Sequence, residues 1–108
     1  MQANALRTDL TDLLALRWPI VQAPIGNGTT PALAAAVTNA GGLGTLSVTW
    51  EPLDRARETV RETQSMADGP IGVNVVLDPE SKWLSTDDQL SVVEETGPEV
   101  LSLSFGDA

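Results

Sequence analysis

The sequence contains no cysteine and no histidine. Without thiols there is no disulfide framework, no thiol nucleophile and no thiolate metal site. Without imidazoles, the side chain that most often acts as base, acid or metal ligand near neutral pH is missing. That excludes histidine from any such role, and no carboxylate pair has a spacing that specifies acid–base work, so no catalytic residue and no metal ligand is assigned within these residues. Basic residues are scarce as well: six against fifteen acidic ones, for a formal charge of −9. Phosphate backbones and anionic lipid surfaces are bound through cations, so neither nucleic acid nor membrane is an expected partner. No apolar run approaches the length of a membrane-crossing helix. Residues 1–17 carry Arg7, Asp9, Asp12 and Arg17 and lack the apolar core of a secretory signal. The expected location is cytoplasmic.

What the chain does contain is a globular composition, 42% hydrophobic over 108 residues. That is enough for one domain with a modest core. The acids are scattered, with a mild gathering between Asp78 and Glu99, and read as a solvated outer face.

The stretch from Trp18 to Ser47 sets the pattern for the rest. Leu6, Leu10, Leu13, Leu14 and Leu16 before it form an imperfect helical stripe, from Thr8 or Thr11 to Leu16. Pro19 favours an extended Trp18, and Ile20, Val21 and Ala23 begin a first strand that Pro24 ends. Gly26, Asn27 and Gly28 make a slim turn. Thr30 then caps a helix that opens on Pro31, with Leu33, Ala36, Val37 and Ala40 spaced as its apolar face. Gly41 suits the helix end. Gly44 suits close packing as a second strand runs through Leu43, Leu46 and Val48.

Two further cycles follow. A helix is predicted from near Pro52, with Leu53, Ala56, Val60 and Ala67 inward and Arg55, Glu58, Arg61 and Glu62 outward. The third strand is Ile71 to Leu77, apolar except for Asn74, and Asp78-Pro79 closes it. Ser85 and Asp88 resemble a capping box for a helix carrying Leu90, Val92 and Val93 inward to Gly97. Glu99 to Phe105 is the fourth strand. Strand starts near residues 20, 43, 71 and 99 are spaced by roughly one βα unit, which builds a parallel sheet with right-handed crossovers. The segment GNGTTP supplies only G-x-G of the dinucleotide fingerprint, and no P-loop lysine follows.

Polar groups inside apolar strands are the candidates for chemistry. Asn74 interrupts Val73 and Val75, and its amide has donors and acceptors to satisfy. It is either pinned to neighbouring backbone or set at a ligand-facing strand end. Gln22 interrupts Val21 and Ala23 in the same way. The loop from Pro24 to Thr29 lies past the carboxyl end of a strand, where α/β proteins bind ligands. Ser102 and Ser104 alternate with Leu101, Leu103 and Phe105, so their hydroxyls share a face. A serine nucleophile would need a base, and no histidine or G-x-S-x-G elbow is present. Asp78 and Asp107 stand near strand ends, where ordinary turn acids also occur. Trp18, Trp50 and Trp83 are too separated to define a stacking platform.

Three segments taken together resemble the start of a nitronate monooxygenase, the family formerly called 2-nitropropane dioxygenases. They are PIVQAPIGNGTTPALAAAVTNAGGLGTLS (19–47), GPIGVNVVL (69–77) and PEVLSLSFG (98–106). The resemblance implies an α/β fold: a partial TIM-type (β/α)8 barrel, about the first four parallel strands with three intervening helices. Residues 1–108 would be the amino-terminal part of an FMN-binding barrel domain, apparently truncated. Ala23, Pro24, Ile25 and Gly26 would pass beside the flavin, and Asn74 matches the family asparagine that contacts it. Many relatives carry methionine where this chain has Ile25. The strand end from Ser104 to Gly106 would face the same pocket. The family's catalytic histidine and its phosphate-holding glycine segments come later in the family pattern.

The implied reaction is oxidation of an alkyl nitronate, a small-molecule substrate, by FMN and dioxygen, and the piece alone is expected to be inactive. Flavin-dependent enoyl-acyl-carrier-protein reductases share the pattern, and a non-catalytic half-barrel remnant is the alternative of a different class. Four strands without a closing partner also expose sheet edges, which invites self-association.

Overall fold

In the computed structural model, residues 6–25, 29–78 and 84–105 are described. Expectations for Gly26, Asn27, Gly28, Pro79, Trp83, Gly106 and Asp107 lie outside them. Helix α1 (Asp9–Leu14) opens on a reciprocal cap. The Thr8 hydroxyl accepts from the Thr11 N–H, and the Thr11 hydroxyl accepts from the Thr8 N–H at 2.8 Å. Of the predicted stripe, Leu16 is buried and Leu13 is 81% exposed.

Helix α2 (Pro31–Asn39) starts as predicted, with Thr30 as its cap and Pro31 in its first turn. Its buried face is different. Ala34, Ala35 and Thr38 are buried, while Leu33, Ala36 and Ala40 are exposed and Val37 is half-buried. Two local demands set this phase. A Cβ on Gly44 would lie 1.9 Å from the Ala34 carbonyl oxygen, so the helix rests directly on the strand backbone there. The Thr38 hydroxyl accepts from the Gly44 N–H at 2.9 Å and donates to the Pro70 carbonyl at 2.8 Å. Gly41 follows the helix at φ 106°, the left-handed region that glycine enters at little cost.

Strands β1 (Gly44–Ser47), β2 (Ile71–Val76) and β3 (Val100–Ser104) form a parallel sheet in that order. The predicted first strand is a correction: among the described residues it contributes one parallel bridge, Val21 to Leu43. Gln22 N–H donates to the Leu43 carbonyl and Leu43 N–H to the Ile20 carbonyl. Pro24 lacks the N–H that would extend this short contact, and before it the chain turns at Pro19, where the Ile20 N–H donates to the Trp18 carbonyl at 2.8 Å. The ladder therefore has three strands where four were expected.

Helices α3 (Leu53–Met66) and α4 (Thr86–Thr96) pack with α2 on one face of the sheet. Leu46, Val48, Ile71, Val73 and Val75 meet Ala34, Ala56, Val60 and Val92 in the core. All six residues of β2 are buried, as expected of a central parallel strand. Ser85 caps α4 through the Asp88 N–H, and Gly97 ends it at φ 63°. Arg57 ties α3 to α4 through Glu95, and that hydrogen bond raises its pKa above the usual value. The inward set of α4 needs correcting: Leu90 is 38% exposed, and Gln89 is fully buried in its stead.

Candidate functional site

Strand alternation puts Thr45, Ser47, Gly72, Asn74, Val76, Ser102 and Ser104 on the sheet face away from the helices. The register sets Ser47, Asn74 and Ser102 side by side across the three strands. The result is a polar layer of small hydroxyls around one amide, near the carboxyl ends of the strands. Ser102 Oγ donates to Asn74 Oδ1, and Asn74 Nδ2 donates to Ser104 Oγ at 3.1 Å. Asn74 is 9% exposed. The amide is pinned, by neighbouring side-chain hydroxyls and not by backbone, on the sheet face away from the helices. Each amide atom retains capacity for one more hydrogen bond.

Gln22 closes the margin beside β1. Its Oε1 accepts from the Thr45 N–H at 3.1 Å, its Nε2 donates to the Ala23 carbonyl, and the Thr45 hydroxyl donates to its backbone carbonyl. The side chain thus completes a ladder that the short bridge leaves unfinished. The chain then runs out through Ala23, Pro24 and Ile25. The Ile25 N–H donates to the Thr29 hydroxyl at 2.7 Å, and the Ile25 side chain is 69% exposed. Ala23, Pro24 and Ile25 therefore sit at the same margin as Gln22, Asn74 is two strands away on the inner face, and Gly26 lies outside the described residues.

Two hollows adjoin this face. One, of about 200 Å³, lies past the end of β1 and is lined by Thr29, Thr30, Ser47, Trp50, Glu51, Arg55 and Thr59. Its cation is paired with acids: Arg55 lies 3.5 Å from both Glu51 and Glu58. The other, of about 450 Å³, is mainly apolar and opens between Leu10, Leu13 and Leu14 of α1 and the inner face at Val100 and Ser102.

A buried clamp under the strand ends had no signal in the sequence. Gln89 accepts from the Thr49 hydroxyl at 2.6 Å and from the Val76 N–H at 3.0 Å. It donates to the Val76 and Leu84 carbonyls, each at 3.0 Å. One side chain so fixes the ends of β1 and β2 and the approach to α4.

Among the described residues, the neutral amide and hydroxyl groups of the inner face offer the mixed donors and acceptors that suit a flavin ring. No unpaired cation lines either hollow; at α2 the Thr30 hydroxyl occupies the Leu33 N–H, whereas α3 opens on Pro52 with no side-chain cap. Among the described residues, no group of three or more Asp or Glu could hold a metal ion. No helix there is long and apolar enough to cross a membrane.

Known proteins match this arrangement. The sequence model of the nitronate monooxygenase family matches residues 7–106. A nitronate monooxygenase from Paraburkholderia phytofirmans is 45% identical over 70% of this chain and 23% of its own length. One from Pseudomonas aeruginosa is 46% identical over 60% of this chain and 18% of its own length. Among solved structures, FabK from Thermotoga maritima aligns with TM-score 0.82 and 37% identity, covering 93% of this chain and 31% of that one. Nitroalkane oxidase from Streptomyces ansochromogenes aligns with TM-score 0.75 and 30% identity, covering 92% and 36%. The chain spans less than a quarter of the length of these two curated relatives.

Proposed function

Because this chain belongs to the nitronate monooxygenase family, we propose that it supplies the first staves of an FMN-binding (β/α)8 barrel. In this reading its inner face contacts the flavin ring. The observation that carries the reading is the polar layer of Asn74, Ser102 and Ser104 on the inner face, with the exposed turn of Ala23, Pro24 and Ile25 two strands away from Asn74. The turn passes the ring edge with little bulk at Ala23 and Pro24, and Asn74 offers its remaining donor and acceptor to the ring. Bound FMN supplies the redox chemistry, taking electrons from an alkyl nitronate and passing them to dioxygen.

The chain's own residues position and do not transfer protons, since neither Asn nor Ser titrates near neutral pH. The 108 residues alone therefore do not turn over nitronate. A second reading, a piece of a flavin-dependent enoyl-acyl-carrier-protein reductase, draws on the higher TM-score with FabK. Both readings share the ring contact and differ in the electron donor.

The test is flavin fluorescence on the purified chain and on Asn74→Leu, with propyl-2-nitronate added to both. The expected result is saturable FMN binding by the chain, weakened about tenfold by the substitution, a loss near 1.4 kcal/mol, with no turnover. Unchanged affinity in Asn74→Leu would remove Asn74 from the ring contact. Turnover by the chain alone would overturn the view that it only positions.

A further inference from the structure

The turn between α3 and β2 brings together the groups for a reaction of the chain with itself. Asp68 is followed by Gly69, the one Asp-Gly pair in the sequence. Both residues are exposed. Among the described residues, the Asp68 carboxylate has no ion pair or hydrogen-bond partner, and the Gly69 N–H donates to no acceptor. Glycine adds no Cβ to shield that nitrogen. The turn leads into the central strand of the sheet, so its exposure does not depend on either sheet margin.

The main chain on both sides of this pair is latched to the end of α2. Asn39 Nδ2 donates to the Met66 carbonyl at 2.9 Å, and the Asp68 N–H donates to Asn39 Oδ1 at 2.7 Å. Beyond Gly69, the Pro70 carbonyl accepts from the Thr38 hydroxyl at 2.8 Å. The carboxyl and the nitrogen after it stay open between these two anchor points.

We propose that Asp68 is a site of spontaneous isomerisation to isoaspartate. The Gly69 nitrogen attacks Asp68 Cγ and a new C–N bond forms. One carboxyl oxygen, the amide proton and a proton from solvent depart as water. The resulting succinimide then takes up water. Opening at Cγ returns aspartate; opening at the Asp68 main-chain carbonyl leaves the backbone running through Cβ and Cγ, with a free α-carboxylate. Nothing is oxidised or reduced, and the mass of the chain is unchanged. The inserted methylene lies between the Asp68 N–H and the Pro70 carbonyl, so it lengthens the path between the two anchors on α2 and loosens the entry to β2. The proposal does not rest on the flavin reading.

The test is to age the purified 108-residue chain in mildly acidic buffer below its melting temperature and digest it with trypsin. The fragment Glu62–Lys82 carries the site. A second form of this fragment, equal in mass and methylated by isoaspartyl methyltransferase with S-adenosylmethionine, should accumulate with time. Its rate should lie within about tenfold of that in the free fragment, since a turn that opens at little free-energy cost gives little protection. Gly69→Ala, whose Cβ meets only the Thr38 methyl at 3.3 Å, should slow the conversion about tenfold by shielding the nitrogen. The aged chain should melt below the fresh one. Absence of a methylated form, isoaspartate only at residues other than Asp68, equal conversion in Gly69→Ala, a rate about a hundredfold below that of the free fragment, or an aged chain that melts with the fresh one would each overturn the proposal.

Discussion

At the scale of single residues, Gln89 carries the largest expected effect. Gln89→Leu would strand the Val76 N–H and C=O and the Leu84 C=O in the core. With ~1–3 kcal/mol for each stranded group, the loss should be about 3 kcal/mol or more, read by urea denaturation. Gln89→Glu gives a pH signature. Burial would raise the new carboxyl above its unfolded value of about 4.3. The folded state then holds a proton that the unfolded state releases, so stability falls as pH rises through that value. Urea melts at about pH 4.5 and pH 7 should show the larger loss at pH 7, and equal losses would contradict the clamp. Gly44→Ala should cost about 3 kcal/mol, since its Cβ would press on the Ala34 carbonyl. The close approach at Gly44 was legible from the glycine itself. Gln89 was not, because an apolar neighbour, Leu90, is the better core residue by hydrophobicity alone. What decides between them is the need of a buried strand end for hydrogen-bond partners.

At the scale of elements, caps, order and the phase of α3 were readable, with Ala56 and Val60 buried as expected, and the phase of α2 was not. Thr8, Thr30, Ser85, Gly41 and Gly97 act at helix ends through local chemistry that the sequence displays. Helix α2 is nearly all alanine and small residues, so periodicity leaned on Leu33 and Val37. Its true phase comes from a distant strand, through Gly44 and the Thr38 hydroxyl. Thr38→Val keeps the shape but removes bonds to both Gly44 and Pro70, and should cost about 1–3 kcal/mol. Leu33→Ala, at a 43% exposed position, should cost less than about 1 kcal/mol despite the larger apolar loss. Thermal denaturation of the two variants tests the ordering, and the reverse order would reinstate the face predicted from periodicity. The segment at 20–23 fell short of a strand for a similar reason. Its apolar pattern was visible, but its ladder is completed by the Gln22 side chain.

At the scale of the whole molecule, the repeating βα order was legible because each unit carries its own punctuation. The polar inner layer was partly legible: Asn74 and the two serines stood out, but their mutual hydrogen bonds depend on a register that only the folded sheet fixes. That layer is the centre of the account: in the proposed reading its amide and hydroxyls meet a flavin ring, and no cation is among them. The most direct measurement is a paired fluorescence titration of the unaltered chain with FMN and with riboflavin. Saturable binding of both, with affinities within about threefold, is the predicted result. Binding of neither, or a preference for FMN of about a hundredfold, would contradict it.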